Sequence, residues 1–179
     1  MDDREIPRGV STLGGVVEVH FDGACEPPKG GGVATFGYHL EGAGYLHEEC
    51  GLAVRPYSDH ATNNVAEYVA AIRALEWLVD QRYPGEVHLL GDSQLVVRQM
   101  LGEYRVRAEH LRAYHEHLSL LAQKFRRVEF RWIPREENRR ADALSKQALL
   151  EAGVEPLRHR AVEPEVVVFE GDPGEGPSP

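Results

Sequence analysis

Val16-Val17-Glu18-Val19-His20-Phe21-Asp22 alternates in polarity. Val17, Val19 and Phe21 fall on one face, and Glu18, His20 and Asp22 on the other. A period of two is the mark of a strand with one face in a core, so this stretch predicts β-structure ending on an acid. Gly23–Gly32 reads as a turn-rich loop, with Pro27, Pro28 and the run Gly30-Gly31-Gly32. That glycine run lacks the Lys-Ser/Thr ending of a phosphate-binding loop and reads as a hairpin entrance. Val33–Leu40 and Gly44–Val54 predict two more strands around a hairpin at Glu41-Gly42-Ala43-Gly44.

Beyond these strands the period changes. A helix is predicted from Asn63 or Asn64, with Val65, Val69, Ile72, Leu75, Leu78 and Val79 as its apolar stripe and Tyr83-Pro84-Gly85 as its stop. Glu86–Leu90 reads as a short strand, and Gly91-Asp92-Ser93 turns into a helix through Met100. Ala108–Lys124 is helical, Arg127–Ile133 alternates again, and a last helix is expected from about Glu137 to Glu151. The order β-β-β-α-β-α-α-β-α implies an α/β fold, a mixed sheet with helices on both faces. Trp77 and Trp132 are expected in the core, and Cys25 and Cys50 as buried free thiols, since their spacing matches no zinc site.

The chain has 179 residues, which suits one domain with short tails. Residues 1–15 read as a flexible leader, 16–152 as the domain, and 153–179 as an acidic, Pro/Gly-rich tail, disordered or docked through Val166–Phe169 as an extra strand. No apolar run approaches a membrane span, and the acidic start lacks a signal peptide's basic and apolar regions, so a cytoplasmic monomer away from membranes is expected. The net charge of −9 does not exclude a nucleic-acid partner. Between Arg98 and Arg140 there are eleven Lys/Arg against six Asp/Glu, and the acidity is concentrated in the tail.

Asp22 and Asp92 each stand at the C-terminal end of a predicted strand, where crossover sheets bind their ligands. Glu67 lies about one turn into the long helix, and Asp142 in the last one. Singly, each acid has an ordinary explanation: Asp92 as a helix cap, Glu67 as a partner of the helix dipole, Asp142 as a solvated residue. Gathered together, four carboxylates repel unless cations lie between them, and an all-oxygen ligand set suits Mg²⁺ or Mn²⁺ rather than zinc.

Four blocks carry a resemblance. Phe21-Asp22-Gly23-Ala24-Cys25, Thr62-Asn63-Asn64-Val65-Ala66-Glu67-Tyr68, Gly91-Asp92-Ser93-Gln94-Leu95-Val96 and Arg135-Glu136-Glu137-Asn138-Arg139-Arg140-Ala141-Asp142-Ala143-Leu144-Ser145 resemble the signature blocks of type 1 ribonuclease H, in order, over roughly residues 16–150. The resemblance implies the ribonuclease H-like fold, a five-stranded sheet in order 3-2-1-4-5. It also implies Asp22, Glu67, Asp92 and Asp142 as catalytic ligands of two Mg²⁺ ions, with Mn²⁺ able to substitute. The implied activity is endonucleolytic hydrolysis of the RNA strand of RNA–DNA hybrids, leaving 5′-phosphate and 3′-hydroxyl ends.

By position, Asn63 and Asn64 would meet the hybrid in its minor groove, and groups at Gly23, Cys25, Ser93 and Gln94 would meet the RNA strand, whose 2′-hydroxyls both donate and accept. Asn63 or Asn64 could equally be chiefly the helix cap. The chain departs from many members in two places, as does a subgroup resembling archaeal and some bacterial members. Pro134-Arg135-Glu136-Glu137 stands where a loop histidine is common, leaving Arg135 as the basic group, one that cannot shuttle protons in the ordinary way. Gly102–Arg107 is short where a basic protrusion is common, so Arg98, Arg105 and Arg107, with Arg112, would have to contact the substrate instead. Double-stranded RNA and RNA–DNA junctions remain further substrates to test. The alternative, a non-catalytic nucleic-acid-binding module on the same fold, fits the intact acid quartet less well.

Overall fold

The computed structural model describes residues 15–27 and 31–155. Residues 1–14 of the expected leader and 156–179 of the expected acidic tail, including Val166–Phe169, lie outside these residues, as does Gly30.

Five strands form one mixed sheet: β1 (Val16–Glu26), β2 (Val33–Gly42), β3 (Tyr45–Leu52), β4 (Glu86–Gly91) and β5 (Arg127–Trp132), in the order β3-β2-β1-β4-β5. β1–β2 and β2–β3 are antiparallel, while β1–β4 and β4–β5 are parallel. Ala43 and Gly44 take positive φ angles at the β2–β3 turn, as the glycine-rich joint predicts. Between the strands lie α1 (Asn63–Asp80), α2 (Gln94–Met100) and α3 (Glu109–Ala122), and α4 (Arg139–Glu151) closes the order.

Period-two burial along β1 puts Val17, Val19 and Phe21 into the main core with Val87 and Leu89 of β4. The α1 stripe of Val65, Ile72, Leu75 and Leu78 covers that face, and Leu111, Leu118 and Leu121 of α3 pack behind it. α4 lies against β1, β2 and β3. Fully burying each of these aliphatic side chains contributes about 1.5–3 kcal/mol, which is what holds the helices to the sheet.

The structure departs from the sequence reading in several places. β1 does not stop at Asp22 but runs to Glu26, because its antiparallel partner continues through Glu26↔Val33. Its pairing with β4 does end early, at His20↔Leu90. The half of β1 carrying Asp22 is therefore open on the β4 side. The last helix is preceded by a short 3₁₀ turn (Arg135–Glu137), and α4 proper begins at Arg139. Trp77 is partly buried against the core, stacked on His47 with ring centroids 4.2 Å apart. Trp132 is not a core residue: it is 48% exposed. Cys25 is buried and Cys50 half-buried, and both thiols are free.

Candidate metal centre

α1 is preceded by Thr62, whose hydroxyl accepts from the Val65 amide at 3.2 Å and so caps the helix. Neither Asn63 nor Asn64 is the cap. One turn in, Glu67 is buried against β1. The approach depends on Gly23: a Cβ there would stand 2.3 Å from the Glu67 nitrogen and 2.4 Å from the Ala66 carbonyl carbon. The Gly23 amide, brought this close, donates to the Glu67 carboxylate. On the other face, Gly37 of β2 admits α4 in the same way, since a Cβ there would stand 2.5 Å from the Ser145 nitrogen.

The sheet supplies the other two positions. Asp22 stands in β1 just past the last β1–β4 pair, and Asp92 directly follows β4. Asp92 is not the cap of α2. Ser93 holds that place, with its hydroxyl accepting from Val96 at 3.4 Å. Asp142 sits in the first turn of α4.

The acids feel one another. Asp22 is 6% exposed, and its pKa is pushed up to about 7. Burial is the largest cause, with Asp92 and Asp142 adding repulsion, while the Ser145 hydroxyl bond and Arg135 oppose it. Glu67 is pushed well above the ordinary carboxylate range by burial, then by Asp22 and Asp92. Its Oε2 has no hydrogen-bond partner. An orphaned carboxylate oxygen inside an acid cluster costs free energy unless a cation takes it. This hard, all-oxygen donor set therefore fits a divalent ion such as Mg²⁺.

Cationic groups border the site. Asp142 Oδ1 accepts from Arg135 at 3.0 Å, and Oδ2 from Lys146 at 2.6 Å. Sequence reasoning missed Lys146, which lies one turn after Asp142 and so on the same helix face. It also missed Ser145, whose hydroxyl is bonded to Asp22, and Asn138, which is 1% exposed and donates to both Phe21 O and Asp92 Oδ1.

Other predicted residues are placed less directly. Gln94 is exposed at the first position of α2. The Cys25 thiol is turned inward, within 3.0 Å of the Ala61 carbonyl and 3.2 Å of the Pro27 carbonyl, and burial raises its pKa to about 11. The Cys25 thiol is thus engaged by these two carbonyls. Arg98 pairs with Glu103 at 3.1 Å and lies over the Tyr104 ring, while Arg105 and Arg107 are exposed.

Among the described residues, Glu86, His88 and Glu129 form the group whose ligand atoms all lie within 4.8 Å of one another. It is distinct from the quartet. It occupies the start of β4 and the adjoining part of β5, and Arg126, Arg127 and Arg131 answer its carboxylates.

Comparison with known proteins agrees with this geometry. A family profile described as "Reverse transcriptase-like" matches residues 47–148. The ribonuclease HI of Halobacterium salinarum is 37% identical over 140 residues, which cover 78% of this chain and 67% of that protein. The chain belongs to the type 1 ribonuclease H family. The ribonuclease H fold is also that of LC11-RNase H1, solved in complex with an RNA/DNA hybrid, which superposes with a TM-score of 0.66 at 33% identity over 76% of this chain and 98% of that one. A third relative, the bifunctional protein Rv2228c of Mycobacterium tuberculosis, is 40% identical over 89 residues, which cover 50% of this chain. Those residues span only 24% of that protein's length. Ribonuclease H relatives thus include both a protein of similar extent and a domain within a longer one.

Proposed function

We infer that this chain hydrolyses the RNA strand of RNA–DNA hybrids endonucleolytically, through residues 16–152, leaving 5′-phosphate and 3′-hydroxyl ends. The observation carrying this reading is the unsatisfied Glu67 carboxylate oxygen beside buried Asp22, whose pKa is raised further by half-buried Asp92 and Asp142. Membership of the family, and a hybrid complex of a relative with the same fold, support the choice of substrate.

Asp22, Glu67, Asp92 and Asp142 would hold two Mg²⁺ ions, or Mn²⁺ in their place. Such ions lower the pKa of an attacking water and stabilise the leaving oxygen. The chain's own residues set the stage for this. Ser145 orients Asp22, the Gly23 amide orients Glu67, and Arg135 places a fixed positive charge beside Asp142. Asn63 and Asn64, freed from capping, would read the minor groove beside Glu67. Ser93 and Gln94 would meet the RNA strand with the backbone near Gly23 and Cys25. Arg98, Arg105 and Arg107 would contact phosphates, a sequence-independent and salt-sensitive interaction.

The test is direct. Labelled RNA–DNA hybrid, duplex RNA, an RNA–DNA junction and duplex DNA are incubated with the protein in Mg²⁺, Mn²⁺ or chelator. Cutting confined to RNA, dependent on metal and lost in Asp92→Asn, is the expected result. Cleavage that persists in chelator would rule the mechanism out. Arg135→Lys should retain more activity than Arg135→Ala, because charge beside Asp142 is preserved.

A further inference from the structure

Asp92 is held from outside its own strand. The Trp132 indole Nε1 donates to the Asp92 main-chain carbonyl at 3.2 Å, and Asn138 Nδ2 donates to its carboxylate Oδ1 at 2.8 Å. Trp132 is the last residue of β5, and Asn138 immediately precedes α4. The same Asn138 Nδ2 donates to the carbonyl of Phe21, the residue before Asp22, at 2.9 Å. An amide nitrogen carries two hydrogens, and here one goes to Phe21 within β1 and the other to Asp92 just past β4.

Neither residue is explained by ordinary packing. Asn138 occupies the N-cap position of α4, where an Asn side chain normally accepts from a helix amide, yet it makes no such bond. It is 1% exposed and turned toward the strands instead. Trp132 continues the alternation of Val128 and Phe130, which pack on the core, yet it stands 48% exposed with its N–H pointed at Asp92.

We propose that Asn138 and Trp132 are positioning residues for the metal centre. Trp132 fixes the backbone at Asp92, and Asn138 fixes the direction of its carboxylate and its separation from Asp22. This inference rests on reading the quartet as a metal centre. A neutral donor suits the task. A Lys or Arg at position 138 would bond the carboxylate but compete with the cation, and an Asp or Glu would repel it. Outer-shell partners of this kind typically govern metal affinity or activity by about 10–100-fold.

The test compares the wild type with Trp132→Phe, an exposed change that keeps an aromatic ring and removes the donor, and with Asn138→Ser. In metal-free protein, carbon-13 NMR of the Asp92 side-chain carboxyl reads its environment directly. Calorimetry with Mn²⁺ reads affinity, thermal unfolding reads stability, and hybrid cleavage separates kcat from KM. The expected result is a shifted or exchange-broadened Asp92 signal in both variants. Mn²⁺ affinity should fall by roughly 2–12-fold in Trp132→Phe, the worth of one neutral hydrogen bond, and by about 10–100-fold in Asn138→Ser. kcat should fall with KM nearly unchanged. Variants that lose stability but keep the Asp92 signal and Mn²⁺ affinity would overturn the proposal, reducing both residues to structural supports. A rise in KM alone for Trp132→Phe, with the Asp92 signal unchanged, would also overturn it by making Trp132 a substrate contact. A wild-type protein that binds no divalent cation would sink the metal-centre reading instead, and the Asp92 signal would still decide whether these residues position that side chain.

Discussion

Ser145 donates its hydroxyl to Asp22 across 123 residues of chain, and so ties α4 to the acid of β1. The bond favours the ionised carboxylate, but burial and the neighbouring acids outweigh it and leave Asp22 titrating at about 7. The upward shift sets how stability depends on pH. In metal-free buffer, native Asp22 holds its proton up to about pH 7, while the unfolded chain releases it near the ordinary 3.8. The native state binds more protons between those values, so this residue's contribution to stability falls as pH rises through the window. Asp22→Asn should therefore unfold at a higher temperature than wild type at pH 8 without metal, with the advantage shrinking toward pH 4. Saturating Mn²⁺ should reverse the order at pH 8. Thermal unfolding at several pH values, with and without metal, reads all of this.

Arg135 and Lys146 pair with the two carboxylate oxygens of Asp142. The Lys146 pair is one helical turn apart and partly solvated, so its loss should cost less than about 1 kcal/mol of stability. Removing that charge also removes a competitor for a cation. Lys146→Gln should thus bind Mn²⁺ more tightly in calorimetry with almost unchanged urea unfolding. Equal or weaker binding would argue against competition at Asp142.

Gly23→Ala should be among the most damaging single-methyl changes in the chain. Its Cβ would overlap the α1 backbone at Ala66 and Glu67, which cannot move aside as a side-chain tip can. Overpacking of this kind costs roughly 1–3 kcal/mol, occasionally more. Because the displaced segment carries Glu67, metal affinity should fall with stability. Urea unfolding and Mn²⁺ calorimetry on the same sample measure both.

Much of this was written openly in the chain. Strand alternation, the helical stripe of α1 and the four acid-bearing blocks were readable because each is a local pattern, and the sheet order followed from the family they resemble. What stayed hidden depends on contacts between distant segments. The extension of β1 to Glu26 rests on its pairing with β2 through Val33, while Gly23 and Pro27 suggest a loop. Trp132 has the right parity for the core but lies in the last position of β5, where it stands exposed. Asn138 looked like one letter of a motif, and its importance comes from bonds to Phe21 and Asp92, 117 and 46 residues away. Cys25 stands in a signature block, yet its thiol is committed to nearby carbonyls.

Thr62→Ala should lower stability by about 1 kcal/mol, the usual worth of a helix cap, since its hydroxyl satisfies the Val65 amide. Asn63→Ala and Asn64→Ala should leave urea unfolding nearly unchanged and weaken hybrid binding. Binding and unfolding measured on all three variants separate the two kinds of residue.

That separation has a practical corollary. When folding and recognition fall on adjacent but different side chains, positions 63 and 64 can be randomised while the helix start is preserved. Substrate preference at this corner of the molecule becomes something that can be selected for, by evolution or in a library, without first searching for compensating changes elsewhere.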